Sequence, residues 1–178
     1  MPHRVRPEHK KAHPVHVTLR ARVSELRDFP VFEAVATALA RGSKDFFRVC
    51  EYSVQHNHIH LIVEADDTDS LSRGMQGLVA RIAKAVNRAM HRKGAVFADH
   101  YHAHELRKPT EVRNALVYVL NNWKKHLPGG NRGLDGCSSG EMVHRMDRSS
   151  SGHAVAPLGG DRMAPERRMA PARAHRLP

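Results

Sequence analysis

The chain has 178 residues, 40% hydrophobic and 5% aromatic, which suffices for one domain of ordinary size and is too short for two. A formal charge of +11 at pH 7 indicates a surface that attracts polyanions, either nucleic acid or an anionic membrane. No window approaches the roughly 20 apolar residues of a membrane span, and the basic start of the chain lacks the apolar core of a secretory signal. We therefore expect a soluble cytoplasmic protein, with Cys50 and Cys137 as free thiols.

Hydrophobic periodicity predicts seven elements in the order β-α-β-β-α-β-α. The first is a strand in which Val15, Val17 and Leu19 alternate with polar residues. The others are a helix over 31–41, strands over 47–54 and 59–63, a long helix from 68 or 70 to about 92, a strand over 101–107, and a helix from 109 or 110 to about 125. This order favours an α+β fold, a ferredoxin-like split βαβ arrangement with an antiparallel sheet and helices across one face.

The composition divides the chain into three segments. Residues 1–12 form a basic N-terminal extension, and residues 13–128 form the folded domain. From Gly129 to Pro178 there is no Phe, Tyr, Trp or Ile, and the segment is rich in Gly, Pro and Arg. Such a composition cannot bury enough apolar surface to offset the entropy of ordering it, so residues 129–178 are predicted to be a disordered tail. It would be a solvated linker or an accessory nucleic-acid-binding arm.

The long helix has an apolar side and a separate basic arc. The arc consists of Arg81, Lys84, Arg88 and Arg92, and we call it the basic arc below. A solvated face is the ordinary interpretation of such a pattern. Because no acidic residue lies at neighbouring i+4 positions and the rest of the surface is also basic, we favour a stripe that contacts phosphates.

Two histidine patterns could bind a metal. Residues i and i+2 of a strand point to the same face, so His58 and His60 present two imidazoles side by side with Ile59 on the other face. They could grip a divalent cation or be two ordinary strand histidines among the 15 of the chain. His100, His102 and His104 repeat the pattern without a nearby thiolate or carboxylate at a recognised spacing. Their support of a nucleic-acid-binding surface is favoured over a zinc site.

The last predicted helix carries a polar stripe. Asn114, Tyr118, Asn122 and Lys125 share one face. A tyrosine in an amphipathic helix is more often part of a core, but this stripe is an unusual one to bury. If it faces the strand that holds His58 and His60, it brings a phenol, an amide oxygen and an ammonium to the same place.

In combination, these features resemble the single-tyrosine HUH transposases, and within them the REP-associated tyrosine transposases. The resemblance covers residues 13–126. It rests on His58-Ile59-His60 with the following strand Leu61-Ile62-Val63, on Tyr118-Val-Leu-Asn-Asn122 about sixty residues later, on Val96 to His102 followed by Leu106-Arg107, and on the opening strand His16 to Arg20. Where the family commonly has Pro before the first motif histidine and Asn-Pro after the tyrosine, this chain has Gln55-His56 and Asn122-Trp123.

The resemblance implies a transposase, a single-strand DNA endonuclease that uses Mg²⁺ or Mn²⁺ and acts as a monomer or homodimer on hairpin-forming DNA. His58 and His60 would be metal ligands, Asn122 would stand where the family places its third ligand, and Tyr118 would be the nucleophile. Attack by the phenol would leave a 5′-phosphotyrosine and a free 3′-hydroxyl. A DNA-bound protein of this kind would associate with the nucleoid.

DNA would be held by the basic arc (Arg81, Lys84, Arg88 and Arg92) together with Arg107 and Lys125. Trp123 and Tyr101 are candidates for stacking on bases, with a role in the core or at its rim as the alternative. The competing function is a non-catalytic, decayed or domesticated module that only binds single-stranded nucleic acid. A metal hydrolase of small substrates is a third hypothesis, although no general-base carboxylate lies near either histidine cluster.

Overall fold

The computed structural model describes residues 8–98, 100–125 and 135–140, without the side chains of residues 124 and 125. The elements are β1 (Val15–Arg20), α1 (Phe29–Ala40), β2 (Phe47–Val54), β3 (His58–Ala65), α2 (Thr68–Ala89), β4 (His102–Glu105), α3 (Pro109–Asn121) and a 3₁₀ turn (Asn122–Lys125). The predicted element order is confirmed. The predicted residues 126–128 of the domain, the parts of the tail at 129–134 and 141–178, and residues 1–7 of the N-terminal extension lie outside the described residues.

The four strands form one antiparallel sheet in the order β2-β3-β1-β4. β1 and β2 are joined through α1 while β3 lies between them, which is the split βαβ arrangement of a ferredoxin-like fold. The predicted α+β fold class is therefore confirmed. Sequence-distant strands become neighbours in this order, so β1 lies directly beside both β3 and β4.

Alternation along the central strands places the main core on one face of the sheet. Val15, Val17 and Leu19 of β1 lie on this face with Ile59, Leu61 and Val63 of β3. α1 and α2 cover it, and the apolar side of α2 supplies Leu71, Met75, Leu78, Ile82 and Val86. The basic arc lies outside this apolar side of α2, and its residues Arg81, Lys84 and Arg88 are exposed.

Among the described helices, α3 alone covers the opposite face of the sheet. A smaller core there joins Ile62 of β3 to Leu106, Ala115 and Val119. The expectation that the helices cross one face is thus correct for α1 and α2 and wrong for α3. α3 is short, so polar residues of β1 and β3 reach the surface beside it.

Several element ends differ from the sequence-based prediction. The sequence predicts Thr68 or Ser70 as the cap of α2, but the cap is Asp67, whose carboxylate accepts a hydrogen bond of 2.7 Å from the Ser70 N–H. The helix ends at Ala89, after which His91 and Gly94 have positive φ values of 49° and 98°. Tyr101 to Arg107 contains only four strand residues, because β4 pairs with β1 solely from Thr18 to Val15.

Two segments outside the predicted domain pack against it. The His9 N–H donates to Thr68 Oγ1 at 2.9 Å and its Nε2 lies 3.1 Å from the Ala65 carbonyl oxygen, so part of the N-terminal extension is buried. Within the predicted tail, residues 135–140 lie along the free edge of β2, where the Val54 N–H donates to the Cys137 carbonyl.

Asp135 anchors this tail segment. It is buried and forms two hydrogen bonds to the Arg27 guanidinium, at 2.6 and 3.0 Å. Disorder is therefore the wrong prediction for residues 135–140, because a bidentate ion pair and strand-edge hydrogen bonds hold a segment that has little apolar surface. Cys50 and Cys137 are not joined in a disulfide.

Candidate active site

The register of the sheet creates a polar patch on the face that α3 covers. Thr18 of β1 is directly opposite His60 of β3, and Arg20 is opposite His58. Opposed residues in antiparallel strands share a face, so these side chains lie together with His16. On the other side of β1, His102 is opposite Thr18 and His104 is opposite His16.

α3 brings Tyr118 onto this patch. The centre of the Tyr118 ring is 5.1 Å from that of His60 and 5.9 Å from that of His16, and both contacts are edge-on. The rings of His58 and His60 are 4.8 Å apart. We call His16, His58, His60 and Tyr118 the His–Tyr cluster. Tyr118 is thus the member of the polar stripe that contacts the histidine strand.

Burial keeps His60 neutral. The residue is 5% exposed, and burial, followed by the neighbouring His58 and His16, lowers the pKa of its ring to about 3. Burial, followed by His104, also lowers the pKa of His16. Metal ions bind the neutral imidazole, so the environment keeps His60 in the form that a metal requires.

The ring nitrogens of the two motif histidines are compatible with a cation. The Asn57 amide oxygen lies 2.9 Å from His58 Nδ1 and can only accept, so Nδ1 carries the proton and the lone pair is on Nε2. His60 Nε2 is buried, and the described residues offer it no hydrogen-bond partner. A buried nitrogen without a partner among the described residues is available to bind a metal ion.

Among the described residues, Asn122 is a further candidate for a metal ligand. Among residues 8–98, 100–125 and 135–140, no group of three or more His, Cys, Asp or Glu is placed to hold a metal ion. Asn122 is 3% exposed and follows α3 in a helical conformation, one turn beyond Tyr118. The chain therefore offers two imidazoles and one buried amide on the elements that form the cluster. Lys125 lies at the end of the 3₁₀ turn, and its side chain is not described.

The other predicted DNA-binding residues are not brought to the cluster. The basic arc is on α2, which covers the opposite face of the sheet. Within it Arg92 is half-buried and donates to the Ala95 carbonyl at 3.2 Å. Arg107 is exposed after β4 and pairs with Glu105 at 3.0 Å. Any single DNA molecule that contacts both the arc and the cluster must pass around the edge of the domain.

The structure also separates the candidates for base stacking. Trp123 is 4% exposed and belongs to the interior, so its core alternative is correct. Tyr101 is half-buried and packs against the main core. His102 and His104 are exposed on the edge strand β4, and together with His100 they do not form a three-residue metal group in the described part of the chain.

Three further residues lie beside the motif histidines. The sequence predicts His16, Thr18 and Arg20 only as polar positions of the first strand. Their alternation with buried residues is the available signal, but the strand register that places them next to His58 and His60 cannot be read from the local sequence.

No helix in the described part of the chain is long and apolar enough to cross a membrane.

Known proteins resemble this chain in both sequence and fold. The family described as "Transposase IS200 like" matches residues 11–122, well over half of the chain. The chain therefore belongs to the IS200-like transposase family. It has no match among curated proteins.

Two solved structures are similar in fold. One is the REP-associated tyrosine transposase bound to a REP hairpin, with 19% identity, a TM-score of 0.62, and coverage of 93% of this chain and 100% of that one. This match supports the ferredoxin-like α+β fold. The other is a "putative transposase" from Deinococcus radiodurans R1, with 14% identity, a TM-score of 0.44, and coverage of 64% and 88% of the two chains.

Proposed function

We propose that the protein is a DNA transposase that cuts and rejoins single-stranded DNA through a covalent bond to Tyr118. The observation that carries the proposal is the contact between the Tyr118 ring and the buried, neutral His60, 5.1 Å apart between ring centres. A phenol and a metal-competent imidazole are thus held at one place by different elements. Packing alone does not explain this position of Tyr118, because its side chain remains 38% exposed.

A divalent cation, Mg²⁺ or Mn²⁺, would be held by His58, His60 and Asn122. When bound, it would polarise a non-bridging oxygen of the scissile phosphate and stabilise the charge that develops there. The described residues fit this role, since His60 Nε2 is buried without a protein partner and both motif histidines can place their lone pairs on Nε2. Arg20, beside His58, would orient the phosphate.

The Tyr118 oxygen would form a bond to phosphorus while the bond from phosphorus to the 3′ oxygen breaks. The product is a 5′-phosphotyrosine, and the phenol proton ends on the released 3′-hydroxyl. A 3′-hydroxyl from another strand can reverse the step, so the strand is rejoined without ATP. Cleavage and joining therefore need only one nucleophile from the protein.

The proposed substrate is hairpin-forming single-stranded DNA in the cytoplasm. The family membership and the net charge of +11 support a nucleic-acid partner. The similar structure described above contains a REP hairpin, which makes hairpins the first substrates to test. The protein would act as a monomer or homodimer. A non-catalytic module that only binds single strands is the alternative function.

The test is a denaturing gel of labelled hairpin DNA, taken from sequence that flanks the gene, with the protein and Mn²⁺. We expect a slow, protease-sensitive adduct with the wild-type protein. Tyr118→Phe should lose the adduct and retain binding, because the change removes only the hydroxyl. Tyr101→Phe is the matched control and should behave as wild type, since that tyrosine packs against the other core.

The other outcomes separate the alternatives. Free cleaved product with both the wild-type and the Tyr118→Phe protein would assign the cut to a water molecule and overturn the covalent proposal. Salt-sensitive binding without cleavage under any divalent metal would favour the binding module.

A further inference from the structure

Two side chains of β1 contact the same nitrogen of His60. Thr18 Oγ1 lies 3.2 Å from His60 Nδ1, and His16 Nε2 lies 3.3 Å from it. The sheet register fixes the first contact, because Thr18 and His60 are opposed residues of neighbouring strands. The second contact is accompanied by ring packing between His16 and His60, with centres 5.3 Å apart.

These contacts, taken together with the burial of Nε2, favour the proton of His60 on Nδ1. A neutral imidazole has one N–H and one lone pair, and only the lone pair binds a metal. On Nδ1, the proton can be donated to the Thr18 hydroxyl or to the His16 lone pair. On Nε2, it would be a buried N–H for which the described residues offer no acceptor.

We infer that Thr18 and His16 are positioning residues that hold His60 in the Nδ1–H tautomer, so that its Nε2 lone pair faces the cation. The inference rests on the metal site of the proposed function and extends it to residues that would not touch the metal. Asn57 has the same positioning role toward His58, since its amide oxygen accepts a hydrogen bond from His58 Nδ1 at 2.9 Å. The two ligands would thus be oriented independently, one from a loop and one from the sheet.

Thr18 is the more informative residue to change. His16 also contacts the ring of Tyr118, so its removal would disturb the nucleophile as well as His60. Thr18→Val keeps the size and branching of the side chain and removes only the hydroxyl. Thr18→Ser restores the hydroxyl in a smaller side chain. The pair therefore separates the hydrogen bond from the packing.

The experiment uses the full-length protein and two readouts that need no DNA. The first is the ¹⁵N chemical shift of the His60 ring nitrogens in the metal-free protein, which distinguishes the two tautomers. The second is the dissociation constant of Mn²⁺, measured by electron paramagnetic resonance. We expect the wild type and Thr18→Ser to have His60 as the Nδ1–H tautomer. Thr18→Val should populate the Nε2–H tautomer and bind Mn²⁺ about tenfold or more weakly.

His16→Phe keeps an aromatic ring without its nitrogens. Like Thr18→Val, it should populate the Nε2–H tautomer of His60 and weaken Mn²⁺ binding. An Nε2–H tautomer in the metal-free wild type, or wild-type Mn²⁺ affinity in Thr18→Val, would overturn the inference. A wild-type protein that does not bind Mn²⁺ would overturn it too. If the tautomer and affinity results hold while no DNA adduct forms, the covalent function fails and this assignment stands.

Discussion

Arg20 has no ion pair among the described residues, unlike three other arginines that flank the sheet. Arg27 is paired with Asp135, Arg48 with Glu64, and Arg107 with Glu105. Arg20 is exposed on the face of the His–Tyr cluster and is opposite His58. An unpaired guanidinium beside a candidate metal ligand can bind the phosphate that the metal would polarise.

We predict that Arg20→Gln slows formation of the Tyr118 adduct about tenfold to a hundredfold. A hydrogen bond to a charged group contributes about 1.5–3 kcal/mol, and that contribution would be lost at the phosphate. The measurement is the single-turnover rate of adduct formation at saturating hairpin DNA and Mn²⁺.

Arg48→Gln is the matched control for this rate. Arg48 lies on the same face of the sheet, but Glu64 already neutralises it, so the rate should be unchanged. Equal rates for the Arg20 variant and the wild type would show that Arg20 does not reach the phosphate. A similar loss in both variants would assign the effect to net charge.

The part of the site that could be predicted from sequence is the part set by local periodicity. Strand alternation places His58 and His60 on one face, and helical spacing aligns Tyr118 with Asn122. His16 and Thr18 could not be assigned, because their contacts depend on which strands become neighbours. Trp123 shows the same limit, since its burial follows from the packing of a turn after α3.

At the scale of elements, two glycines of α2 have opposite environments. A Cβ built on Gly74 would lie 2.7 Å from Phe47 Cβ and closer still to the ring, because β2 passes directly against the helix there. A Cβ on Gly77 would have no atom within 4 Å. The pair isolates the effect of helix–sheet contact from that of helix propensity.

We predict that Gly74→Ala lowers the free energy of unfolding by about 1 kcal/mol or more. Overpacking of a core costs about 1–3 kcal/mol, and Phe47 Cβ is fixed to its strand and cannot move away. The higher helix propensity of alanine, worth about 1 kcal/mol, offsets only part of this cost. Urea unfolding, followed by circular dichroism, measures the change.

Gly77→Ala, measured in the same way, should raise the free energy of unfolding by about 0.5–1 kcal/mol, since only the propensity changes. If both substitutions lowered the free energy of unfolding, the close approach of α2 to β2 would not be the reason for glycine at these positions. The conformational freedom of the helix would be the reason instead. Stabilisation by both would mean that α2 is not packed against Phe47 as described.

The elements were predictable in type and order because their periodic patterns are strong. Their ends were less so, as the cap of α2 by Asp67 and the short β4 show. The ordered conformation of residues 135–140 could not be predicted, because it depends on the ion pair between Asp135 and Arg27, which is 108 positions away. Such a pairing leaves no periodic signal in the sequence.

At the scale of the whole molecule, the candidate DNA-binding groups lie on both sides of the sheet. The His–Tyr cluster and Arg20 are on the face of α3, whereas the basic arc is on α2, which covers the other face. The sheet and the main core separate them. Residues of the arc can therefore add to affinity without taking part in the reaction.

We predict that replacing Arg81, Lys84 and Arg88 with Gln weakens single-strand binding and leaves the adduct rate at saturating DNA unchanged. Each phosphate contact that is lost should reduce the slope of log affinity against log salt by about 0.7, so the three changes together should reduce it by about 2. Fluorescence anisotropy at several salt concentrations gives the slope, and the single-turnover gel gives the rate.

The control replaces Lys11 and Arg48, which are already paired with Asp66 and Glu64. Its slope should change much less per charge removed, because these cations are neutralised in the free protein. An unchanged slope in the arc variant would make the arc a solvated face. A slower adduct at saturating DNA would mean that the strand held at α2 is the strand being cut, which the position of α2 across the sheet from Tyr118 argues against.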